Sequence, residues 1–133
     1  MDVIQMARDL GVELQKSETY ANYLVAREAA EKDDELQTLV REFNLQKVAL
    51  TTERQIEDAD SENVKAIGAR MREVYSQIMQ RPTMQAFDTA KKDLDKMVSF
   101  AQHIIEASAD GEDPSTIQEP SCGGDCAGCS GCG

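Results

Sequence analysis

A chain of 133 residues fits a single domain with one core. Lys and Arg total 14 against 25 Asp and Glu, a formal net charge of −11, and a surface of that sign repels phosphate backbones, so direct nucleic-acid binding is not expected. With three Phe, three Tyr and no Trp, the core must rest on Leu, Ile, Val, Met and Ala, a palette better suited to helix packing than to a β-sandwich.

The N-terminus, Met1 to Asp9, carries acids where a secretory leader would be basic, and no run elsewhere reaches the length of a bilayer span. A cytoplasmic protein without membrane insertion is expected. Apolar residues then recur at helical spacing: Val3, Met6, Ala7, Leu10 and Leu14 share one face of a first helix. Ser17 is an N-cap for a second, the alternative being one continuous helix. The second segment groups Tyr20, Tyr23, Leu24 and Arg27 and ends in the charged run Glu31 to Glu35, where Asp33 or Asp34 caps the next helix.

The third segment aligns Leu36, Leu39, Val40, Phe43, Lys47 and Leu50 and fades into the polar stretch Glu57 to Glu62, with Asp60 or Ser61 as the following cap. The fourth carries Val64, Ile67, Met71, Val74, Tyr75 and Ile78 as far as Arg81-Pro82, since proline cannot continue a helix interior. Thr83 is expected to open the last helix, whose stripe runs through Met84, Phe87, Ala90, Leu94, Met97, Val98, Ala101, Ile104 and Ile105 to about Ser108. Unbroken, it spans about 39 Å at ~1.5 Å per residue, which suits an antiparallel hairpin or bundle. No stretch alternates as a strand does. The expected fold is all-α, an antiparallel hairpin or bundle of four to five helices over residues 1–109.

Composition changes after Ala109. Residues 109–133 contribute −5 of the charge, contain no Lys or Arg, and hold six of the eight Gly, two of the three Pro and every Cys. Such a segment cannot build a core, so residues 110–121 read as a flexible acidic linker and 122–133 as a disordered tail that orders on binding.

The four cysteines, Cys122, Cys126, Cys129 and Cys132, follow the spacing C-x3-C-x2-C-x2-C. Gly, Ala, Ser and a single Asp separate them, so several thiolates can converge on one centre without side-chain clashes. Two or three residues between ligands is the spacing iron–sulfur clusters use, in the reverse order of the bacterial ferredoxin run. Zinc is the competing ion, although structural zinc sites more often draw two ligand pairs from separate turns. A tail of merely exposed thiols is the third reading.

Other sites are weaker. His103 falls off the last helix's stripe and has no nucleophile or metal partner nearby in sequence, and Ser76, Ser99 and Ser108 lack a nucleophile-elbow context. Gly11 and Gly68 stand alone inside helical patterns and mark close helix contacts, not a phosphate loop. Pairs such as Glu28–Lys32 and Asp88–Lys92 are i, i+4 helix support. Met71, Met79, Met84 and Met97 follow the apolar stripes and are expected in the core.

The run Lys16-Ser17-Glu18-Thr19-Tyr20-Ala21-Asn22-Tyr23, the stretch from Asp34-x-Leu36 to Phe43, and Pro82-x4-Phe87-x2-Ala90-x3-Leu94 together resemble the YlbF/YmcA family of bacterial regulators over residues 1–108. The tail resembles the extension of YlbF-like members. This resemblance implies an all-helical protein without catalytic residues that associates with itself or with related subunits. It also implies a complex with a YaaT-like partner that binds an iron–sulfur cluster, of the 4Fe-4S kind and shared between subunits or not, and that assists RNase Y in messenger RNA processing. Competence, sporulation and biofilm programmes are the implied outputs, and Cys122, Cys126, Cys129 and Cys132 the implied cluster ligands. The expected function is a regulatory adaptor; the rival is a small metal or cluster carrier whose helical body only dimerises.

Overall fold

The computed structural model describes residues 2–56 and 61–120. Among these, five α-helices account for nearly all the regular structure and no strand occurs: α1 (Val3–Lys16), α2 (Glu18–Glu31), α3 (Asp34–Ile56), α4 (Glu62–Gln80) and α5 (Pro82–Ala109). The all-α expectation holds, with five helices. The cysteine tail lies outside the described residues. The chain divides into two compact units, Met1–Ala90 and Lys91–Gly133.

Local chemistry sets the helix boundaries in the first unit. Asp2 starts α1 by accepting the Gln5 N–H at 2.8 Å. Ser17 then ends one helix and begins another: its backbone is extended (φ −69, ψ 152), its hydroxyl donates to the Leu14 carbonyl at 2.6 Å, and the same oxygen accepts the Tyr20 N–H at 3.2 Å. That geometry decides against one continuous helix. Asp33 takes the Leu36 N–H at 3.1 Å and opens α3, and Ser61 takes the Val64 N–H at 3.2 Å and opens α4.

The last boundary differs from expectation by one residue. α5 opens at Pro82, because a proline in the first helical position has no N–H to leave unsatisfied. Thr83 is therefore inside the helix and its hydroxyl is free for another task.

The core of this unit is small and sits where α3 and α4 pair. Leu36 and Val74 are fully buried, Ala30 and Ile78 nearly so, and Leu39, Val40, Phe43, Met79, Met84 and Phe87 pack around them. Glu42 of α3 meets Arg70 of α4, while Asp33, just ahead of α3, meets Arg81, just after α4, so the two helices run antiparallel. The stripe read for α3 is the buried face, although Lys47 on it is exposed. Tyr75, placed on the α4 stripe, is 55% exposed, with its ring 6.2 Å from Phe43. On α2, Tyr23 lies 5.7 Å from Phe87, and the Arg27 guanidinium sits 5.6 Å from the Tyr23 ring centre.

In the second unit α5 ends at a glycine. Gly111 takes φ 95, a left-handed conformation costly to other residues, and its N–H reaches the Ser108 carbonyl while the Glu112 N–H reaches Ala107. These two bonds satisfy carbonyls that the helix end leaves free. Within the segment read as a linker, Asp113 accepts the Ser115 N–H at 3.0 Å and caps a short 3-10 turn, Pro114–Thr116. Glu119 then lies 3.4 Å from Lys96 of α5, an exposed pair that returns the chain alongside the helix.

Candidate functional site

The four cysteines named from the sequence, Cys122, Cys126, Cys129 and Cys132, lie outside the described residues. Their fit to a soft metal centre rests on the donor set itself: four thiols, small intervening residues, and no competing Lys or Arg in the segment. Among the described residues no group of three or more His, Cys, Asp or Glu is arranged to hold a metal ion.

The best-built polar constellation is a clamp at one end of the α3–α4 pair, and the sequence did not announce it. The Arg81 guanidinium reaches both carboxylate oxygens of Asp33 at 2.9 Å and Glu35 at 2.6 Å. Thr83 donates its hydroxyl to Asp33 at 2.6 Å, and the Leu36 N–H donates to the same carboxylate. The Thr83 hydroxyl, the Leu36 N–H and the Arg81 charge together hold the Asp33 carboxyl at a pKa of about 2, below its ordinary 3.8. Such a carboxylate is ionised and fully occupied, which suits it to anchoring three segments and not to moving protons. From the sequence Asp33 reads only as a cap, because its partners Arg81 and Thr83 are some fifty positions away. A second bridge, Arg70 to Glu42 at 2.7 Å with Glu73 at 3.2 Å, repeats the arrangement further along the hairpin.

Two of the three hydroxyls considered as nucleophiles take part in bonds within their own helices. Ser76 accepts from Gln80, and Ser108 donates to the Ile104 carbonyl at 2.6 Å. His103 is half-buried. Of the methionines, Met79 and Met84 pack on the core as expected, and Met97 is half-buried. Met71 lines an open groove between α3 and α4. Neither interior glycine marks a close contact among the described residues: there a Cβ at Gly11 would meet nothing within 4 Å, and one at Gly68 only the end of the Arg72 side chain, at 3.6 Å. Glu28 and Lys32 do pair, at 2.8 Å on an exposed face.

α1 has no buried residue at all. Val3, Ile4, Met6, Leu10 and Val12 remain open, so the stripe read from sequence is real and uncovered. The described residues thus form a helical body with an uncovered apolar helix.

Residues 3–108, almost the whole of this helical body, match the family model described as control of competence regulator ComK, YlbF/YmcA. The chain belongs to the YlbF/YmcA family. The match stops before the first cysteine, so in this YlbF/YmcA member the family signal resides in the helices. No curated protein and no solved structure matches it. No helix of the described YlbF/YmcA body is long and apolar enough to cross a membrane.

Proposed function

We propose that this YlbF/YmcA protein is a non-enzymatic regulatory adaptor whose helical body associates with itself or with related subunits and whose tail holds an iron–sulfur cluster. The observation that carries the reading is the division of the chain: the family match covers the helices, and every cysteine lies beyond it. The body's uncovered α1 supports a docking role, because a surface helix with an apolar stripe is stable in water only when something lies against it.

Cys122, Cys126, Cys129 and Cys132 are the proposed ligands. A bound cluster would supply one-electron chemistry or a cross-link between subunits. In this reading the adaptor acts on competence control through its partners, a YaaT-like subunit among them, and influences RNase Y-dependent RNA processing, sporulation and biofilm formation. With a net charge of −11 it does so by touching protein and not RNA. The carrier reading is the weaker one, since it leaves a 106-residue family match over residues 3–108 with nothing to do but dimerise.

Anaerobic purification of the full chain with its native partners, followed by iron, sulfide and zinc analysis, tests the cofactor. Iron and sulfide in equal amounts are expected; zinc alone, or no metal, overturns the cluster. Ending the chain after Glu119 should abolish bound iron while leaving partner capture by the body intact. A carrier would lose both.

A further inference from the structure

The segment from Asp110 to Pro120 has the composition of a linker, yet a series of bonds holds it within the second unit. Gly111 turns it at the end of α5, and the N–H groups of Gly111 and Glu112 bond back to Ser108 and Ala107. Asp113 fixes the next turn. Its carboxylate accepts the Ser115 N–H at 3.0 Å and the Ser115 hydroxyl at 2.7 Å, and its carbonyl accepts the Thr116 N–H at 3.1 Å. Glu119 ends the return at Lys96. Between these points Ile117 is the one large apolar residue of the segment, and it alone of residues 110–120 is not exposed.

α5 carries a surface to match. Lys96, Phe100, His103 and Ala107 stand three or four residues apart, so they share one face, and none of them belongs to the stripe through Leu94, Ala101 and Ile105. A helix face away from its apolar stripe is ordinarily open to water. Here Phe100 and His103 are half-buried and Ala107 is 5% exposed. The segment from Glu112 to Glu119 meets this face at both ends, through the Ala107 carbonyl and the Lys96 ammonium.

We propose that residues 111–119 are a strap laid back along this face of α5, with Ile117 seated between its two ends, and that the strap positions the cysteine segment. The exposed Lys96–Glu119 pair contributes little by itself, because charges in water are screened. Ile117 is the anchor, and the pair sets the register. Cys122 follows Glu119 by three residues, so its α-carbon stands at most about 11 Å from that of Glu119. The first thiol is thereby confined to the neighbourhood of Lys96. The purpose of the strap rests on the reading of the cysteines as a metal site and deepens it. A strap already ordered removes part of the entropy cost of gathering four thiolates. Ile117, Lys96 and Glu119 are positioning residues, and none of them is a ligand.

Distances in the full chain test the strap. Cys126, Cys129 and Cys132 are changed to Ser, Glu106→Cys is added at an exposed position of α5, and spin labels on the two remaining thiols are read by pulsed electron paramagnetic resonance. Dilution with unlabelled chain keeps the measured distances within one molecule. A confined distance distribution is expected. Ile117→Asp should broaden it, with far-UV circular dichroism unchanged; if that variant loses helix, Ile117→Ser replaces it. Lys96→Glu should broaden it less, and adding Glu119→Lys should restore it. A distribution as broad with the strap unaltered as with Ile117 replaced would overturn the proposal.

A second measurement keeps all four cysteines. Cobalt(II) titrated into the metal-free full chain is read at its thiolate charge-transfer band, and Ile117→Asp should weaken its binding by at least about threefold. Equal affinity would overturn the positioning role. A confined Cys122 in a chain that binds neither cobalt nor iron keeps the strap and sinks the metal reading, so the two fail separately.

Discussion

Asp33 shows how one side chain can be both local and long-range. As the cap of α3 it was readable from its position ahead of Leu36; as the acceptor for Thr83 and Arg81 it was not. Its folded pKa of about 2 lies below the ordinary 3.8, so the folded state holds its proton less tightly than the unfolded chain does. The stabilisation is fully present above about pH 4 and is lost as the pH falls through 2. Acid titration followed by circular dichroism should therefore show a transition that Asp33→Asn flattens in this window, with lower stability at pH 7. Thr83→Val should do the same in smaller measure. At the packing level Leu36, 1% exposed at the centre of the core, is the residue to truncate: Leu36→Ala should cost about 2–5 kcal/mol in urea unfolding.

Helices start and stop here for reasons that single residues supply, and those reasons can be removed. Ser61→Ala takes away the acceptor for the Val64 N–H and should lower stability by about 1 kcal/mol, with the loss seen as fraying at the start of α4. Gly111→Ala forces a side chain into the left-handed region and should cost about 1–2 kcal/mol, read as a lower melting temperature. Most of these signals were legible. Ser17, Asp33 and Ser61 are short polar side chains placed ahead of an apolar period, and their effect acts within one turn. Proline at position 82 was legible as a stop, but its fitness as a first helical residue moved the start of α5 one place ahead of Thr83. The choice at Ser17 between a break and a continuous helix needed the actual backbone, since a serine is compatible with either.

Taken whole, the chain joins a helical body to a cysteine-bearing segment of different composition. Ending the chain after Glu119 should leave the helical content and melting temperature unchanged, because the core cluster around Leu36 and Val74 is built from residues of α2 to α5. A fall of several degrees would instead tie the tail to the body.

Periodicity, capping residues and composition by themselves determined an all-α body of four to five helices, most of its boundaries, the acidic balance and the place where the cysteines collect. These properties depend on neighbours within a turn or on sums over the chain, so they survive without coordinates. Tertiary structure alone decided which stripe is buried. The patterns of α1 and α4 both announce an apolar face, yet α4 buries Val74 against α3 while α1 buries nothing. It also decided that Arg81 closes on Asp33 and that Arg54 and Arg72 stay open beside a groove. An apolar period states that a face must be covered; what covers it depends on residues far away in the chain, or on another molecule, and no local pattern encodes that.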